Sequence, residues 1–137
     1  MLSWFTNNSI ENVNYEIVQY AIKNKDEYFI INTLPGSDQE YLITSTIAAD
    51  KEEYILNEML NNFHVPDRKI IVYGKNNSDD TVIAKALQLQ NLGVKEVFIY
   101  VGGVFEWLLL QDVYGKSEFP TSNTILDILK FKPPKKS

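Results

Sequence analysis

The chain has 137 residues, 45% of them hydrophobic, 23% charged, and a formal charge of -5. This is the size of one domain, able to bury about 70% of the surface its unfolded chain exposes. The acidic balance argues against nucleic acid as a partner, since phosphate binding draws on Lys and Arg. With no cysteine there is no disulfide framework and no thiol nucleophile.

The first eight residues, Met1 to Asn8, carry no basic segment and no long apolar run, so no leader is expected. Residues 15–24 set Ile17, Val18, Ala21 and Ile22 on one face of an amphipathic helix. Tyr28 to Leu34 is a continuous β-branched and aromatic run ended by Pro35-Gly36, which reads as a buried parallel strand and a turn. A short strand is expected over Tyr41 to Thr44. Asp50 then caps a helix from Lys51 to about Phe63, with Tyr54, Ile55, Met59 and Leu60 inward.

Lys69 to Tyr73 is the next strand. It runs through Gly74 into the polar loop Lys75-Asn76-Asn77-Ser78-Asp79-Asp80. Asp80 is the expected N-cap of a helix that ends at Gly93, with Val82, Ile83, Ala86, Leu87 and Leu89 covering much of its circumference. Glu96 to Val101 is a further strand, closed by Gly102-Gly103, which reads as a tight strand-to-helix turn; the glycine spacing of a dinucleotide motif is missing.

Val104 to Tyr114 has no polar face, because Glu106, Gln111 and Asp112 are spread around the helix. Either this helix is buried on most sides or part of it meets a partner. Phe105, Trp107, Leu108 and Leu110 are the candidate contact residues, and self-association into a homodimer is one form the contact would take. A loop follows, then a short helix around Thr124 to Leu129 and a solvated basic tail from Phe131 to Ser137. The longest apolar stretch is far short of the roughly 20 residues of a membrane helix.

Apolar strands alternating with helices make this an α/β domain with a parallel sheet covered on both faces. The order of elements, the strand Lys69 to Gly74 with its loop, the Leu92-Gly93-Val94 turn, and Gly102-Gly103 followed by Trp107 together resemble a rhodanese domain from about Tyr15 to Gly115. Residues 1–137 then form a single rhodanese-like domain, with its core over 15–115 and a C-terminal extension over 116–137.

The resemblance implies a five-stranded, mostly parallel sheet with an active-site loop after Tyr73. Active members of that family begin the loop with a cysteine that carries sulfur as a persulfide, stabilised by loop N-H groups. Gly74 stands there instead. The family's Asp-x-Arg after the earlier strand is replaced by Asn32-Thr33-Leu34, and the late loop arginine by Ser78-Asp79-Asp80-Thr81. The loop is also one or two residues longer than the common sulfurtransferase type, as in the related dual-specificity phosphatases, which need the same missing cysteine.

Gly74 to Asp80 is therefore expected to be a degenerate active-site loop with no catalytic residue. Asp79 and Asp80 oppose an anion more strongly than the helix dipole favours one, with Lys75 offsetting only part. Ser78 has no histidine near it in sequence, and His64 lies beside Pro66 at a helix end. No metal-ligand spacing is evident, and no cofactor is expected. The expected function is a non-catalytic binding or regulatory module, intracellular, with a protein partner. The competing expectation is an enzyme with non-thiol chemistry in the strand-end pocket, a hydrolase or an atypical phosphatase or sulfurtransferase relative, that uses Asp79 or Asp80 as acid or base.

Overall fold

The computed structural model describes residues 9–61 and 68–135. Five strands lie in chain order at Ser9–Val13 (β1), Tyr28–Asn32 (β2), Thr46–Ile47 (β3), Lys69–Tyr73 (β4) and Glu96–Tyr100 (β5). Four α-helices are Tyr15–Lys23 (α1), Ala49–Asn61 (α2), Thr81–Leu92 (α3) and Gly103–Tyr114 (α4). The sheet order is β1-β5-β4-β2-β3 and every strand pair is parallel. β4 is thus the central strand.

Alternation along the strands divides the core in two, since successive side chains point to opposite faces. Ile71 and Tyr73 of β4 join Val18 and Ala21 of α1 and Val104, Trp107 and Leu108 of α4. Ile70 and Val72 face the other way, onto Leu56 and Met59 of α2 and Val82, Ala86 and Leu89 of α3. Helices cover both faces, which is why the strands are apolar throughout. No helix among the described residues is long and apolar enough to cross a membrane.

Several boundaries differ from the sequence reading, each for a local reason. β1 was not expected: its pattern, Ser-Ile-Glu-Asn-Val, has two apolar residues and sits at the sheet edge beside β5. Tyr41 to Thr44 is not a strand; Ile43 makes an isolated antiparallel bridge to Thr121, and the sheet partner of β2 is Thr46–Ile47. Ser45, with φ 73°, turns the chain between them.

α2 starts two residues earlier than expected, with Asp50 inside its first turn rather than capping it. Leu56 and Met59 face the core, while Tyr54 is 70% exposed. In α3, Ile83 and Leu87 point outward. The expected helix near Thr124 is a 3-10 turn at Ile128–Phe131. Phe131, assigned to a solvated tail, is instead buried in the α1/α4 core together with Phe119. Residues 132–135 are largely exposed.

Candidate functional site: a loop closed on its own carboxylate

The loop 74–80 leaves the carboxyl end of the central strand, where open parallel sheets place their ligands. Its entry is rigid. Tyr73 is fully buried, and its hydroxyl accepts from Ile43 N at 3.0 Å and lies 2.8 Å from Thr46 Oγ1. Burial raises the Tyr73 pKa well above the ordinary tyrosine value, so this hydroxyl stays protonated.

Asp79 folds back into the loop. Its Oδ2 accepts from Lys75 N at 2.9 Å, and its Oδ1 accepts from Thr81 N at 3.1 Å and Thr81 Oγ1 at 2.5 Å. Asp79, not Asp80, therefore holds the free N-H at the start of α3. Asp80 is exposed, makes no side-chain cap bond, and has αR backbone angles. The sequence reading assigned the cap to Asp80; an Asx-type bond to the residue two further on favours Asp79 instead. The N-H groups of Lys75 and Thr81 thus meet a carboxylate that the loop itself supplies.

Two glycines permit this closure. A Cβ built on Gly74 runs into Asp79 Oδ2, with Val82 Cγ2 at 2.6 Å and Thr33 Oγ1 at 2.8 Å. Gly103 has φ +66°, and a Cβ there meets Gly74 O at 2.7 Å, Asn76 N at 2.9 Å and the Lys75 carbonyl carbon at 2.9 Å. That close approach brings α4 onto the loop: Val104 N donates to Gly74 O at 3.0 Å and Phe105 N to Lys75 O at 2.9 Å. The Gly102-Gly103 pair is a backbone-approach device as well as a turn.

The other loop residues divide between support and surface. Asn76 is buried; its Nδ2 donates to Phe131 O at 2.9 Å and its Oδ1 accepts from Ser78 N at 2.8 Å. The C-terminal extension is therefore tied to the loop, a contact that sequence spacing alone does not reveal. Asn77 is exposed. Ser78 Oγ finds only Asn77 Oδ1, at the long distance of 3.5 Å, so no activating base contacts it among the described residues. His64 lies outside the described residues.

The segment standing for Asp-x-Arg has a structural role. Asn32 is buried and exchanges two amide bonds with Gln39, at 2.7 and 3.2 Å, while also bonding Ile47 O and Leu34 N. Gln39 Oε1 in turn accepts from Ala49 N, holding the start of α2. Thr33 Oγ1 lies 2.9 Å from Thr81 Oγ1. Asn32 at the end of an apolar run, two residues before Leu34, was the available signal for a side-chain turn; nothing in the spacing pointed to Gln39.

Among the proposed contact residues, Trp107 and Leu108 are buried, and Phe105 and Leu110 are partly buried against the same core. Trp107 is held by an edge-on contact with Phe119 and by donation from Nε1 to Pro120 O at 3.1 Å. The outward apolar residues of α4 are Leu109, Val113 and Tyr114. Two cavities flank the loop. One, of about 810 Å³, runs between α2 and α3 past Thr33 and Thr81; the other, of about 550 Å³, opens beside Tyr100, Phe105 and Asn77. Among the described residues, no three His, Cys, Asp or Glu side chains gather as a metal set.

The family model of the Rhodanese-like domain matches residues 14–110. No curated protein matches the chain. The fold is similar to that of the Alr3790 protein from Anabaena sp., with 18% identity, TM-score 0.58, and 86% of this chain and 97% of that chain covered. It is also similar to the BH2092 protein from Bacillus halodurans, at 17% identity and TM-score 0.56, covering 77% of this chain and 74% of that one. A Lactobacillus plantarum protein aligns at 15% identity and TM-score 0.50, over 73% and 83% of the two chains. Identities this low carry the fold and no activity.

Proposed function

Because the chain belongs to the Rhodanese-like domain family and holds no cysteine at any position, we propose that it is a non-catalytic member acting as an intracellular binding or regulatory module with a protein partner. The observation that supports this most is the Asp79 carboxylate, which takes Lys75 N-H and both donors of Thr81. An incoming sulfur or phosphate anion would have to displace a charge-assisted bond set, and would meet a negative charge in doing so. Gly74 supplies no nucleophile beneath it.

The competing reading, a hydrolase using Asp79 or Asp80, draws no support from the loop. Asp79 is committed to structural bonds and Asp80 is exposed at the helix start. Purified protein assayed for thiosulfate-to-cyanide sulfur transfer and for aryl phosphate hydrolysis should stay at background in both. Turnover in either that follows the protein through a final column would overturn the non-catalytic reading.

A further inference from the structure

The cavity beside β5 combines an apolar wall with one carboxylate. Tyr15, Phe105, Leu109 and Pro133 form that wall, Asn14 and Asn77 add amides at the lining, and Tyr100 and Glu106 are the hydrogen-bonded polar pair. Tyr100 Oη donates to Glu106 Oε1 at 2.6 Å. Burial first, and Glu106 second, raise the Tyr100 pKa, so this phenol remains the donor. No lysine or arginine forms an ion pair with Glu106 among the described residues. Among the described residues no side-chain or backbone donor is bonded to its second oxygen.

We propose that this cavity binds a small organic ammonium ion: a primary amine, paired with Glu106, on an aromatic or alkyl body that lies against Phe105, Tyr15 and Leu109. Ligand sites of this size are mostly apolar with a few placed polar groups. Aromatic rings beside the carboxylate add cation-π attraction. A guanidinium is disfavoured, because its fork needs two carboxylate oxygens and Tyr100 already holds one. A hard metal ion is disfavoured too, since such ions favour several charged oxygens and Glu106 is the one carboxylate in the lining. The assignment goes beyond the non-catalytic reading and holds whether or not the loop is inert.

The test is a titration of the full chain with 2-phenylethylamine, followed by amide chemical shifts, beside 2-phenylethanol as the neutral analogue. Saturable shifts centred on Tyr100, Phe105 and Leu109 are expected, with the alcohol at least about tenfold weaker. Glu106→Gln keeps an oxygen for Tyr100 and should weaken the amine by a similar factor. Leu109→Ala, at an exposed position, provides a second variant that folds and should also weaken it. Equal binding of amine and alcohol, shifts centred elsewhere, or none at the solubility limit would overturn the proposal.

Discussion

The Asp79 carboxylate and the missing Gly74 side chain compete for one space. A methyl on Gly74 meets Asp79 Oδ2 first, then Val82 and Thr33. Replacing glycine by cysteine at this site therefore does more than supply a thiol: it forces apart a carboxylate, a core valine and a loop threonine. Gly74→Cys should lose about 1–3 kcal/mol of stability in urea denaturation, the usual scale for overpacking, and show no sulfur transfer. Gly74→Ala should cost less in an Asp79→Ala background than in the wild type, because contacting groups couple. Simple additivity would mean the two positions do not share the space.

Asp79 and Asp80 should separate cleanly. Asp79→Ala removes the acceptor of Lys75 N-H and Thr81 N-H and should cost about 1–2 kcal/mol, as loss of a helix cap does. Asp80→Ala, at an exposed residue without a cap bond, should stay within about 0.5 kcal/mol. Chemical denaturation of both variants decides this, and equal losses would refute the assignment of the cap to Asp79.

The extension is predicted to stabilise the loop. Phe131→Ala removes a buried ring from the core under α1 and α4 and should cost about 3–5 kcal/mol. Leu129→Ala, two residues earlier and exposed, should be nearly neutral. Asn76→Ala leaves Phe131 O and Ser78 N without their partner, a loss of about 1–3 kcal/mol. Faster amide exchange at Ser78 in both Phe131→Ala and Asn76→Ala is the accompanying readout.

What was legible in the sequence follows from where the signals are local. The strand 69–73 and the stop at Gly93, with φ +108°, are fixed by runs and caps within a few residues, and they appear where the periodicity put them. β1 escaped because an edge strand with two apolar residues has little pattern of its own. In the loop, the charges of Asp79 and Asp80 were legible but their directions were not. One turns inward and the other outward, a difference set by which carboxylate can reach Lys75 N and Thr81 N. The bond from Asn76 to Phe131 spans 55 positions. No local reading reaches that far.

Gly103 and Gly36 offer a test of why α4 can sit on the loop. At Gly103 the obstructing atoms are backbone, which cannot rotate away, and φ is positive. Gly103→Ala should therefore cost more than the roughly 1 kcal/mol usual for glycine replaced at positive φ alone, and should disturb amide shifts at Gly74 to Asn76. A Cβ on Gly36 meets nothing within 4 Å, so Gly36→Ala should be tolerated. Similar losses at the two sites would remove the close-approach argument.

Alkaline pH should weaken the fold through its two buried phenols. Tyr73 and Tyr100 both have folded-state pKa values raised above the ordinary 10.0, chiefly by burial. Above pH 10.0 the unfolded chain releases phenolic protons that the native state keeps, so the native state binds more protons and stability falls as pH rises. Each such tyrosine contributes a slope of about 1.4 kcal/mol per pH unit there, and none below it. Lys69 and Lys130, raised by hydrogen bonds to Glu27 and Asp38, titrate in the same direction and are present in every variant compared. Tyr73→Phe should begin from lower stability, having left Ile43 N-H without its acceptor, yet decline less steeply above pH 10 than wild type. Parallel slopes in urea midpoints across that range would show that Tyr73 ionises as readily folded as unfolded, and would refute its complete burial.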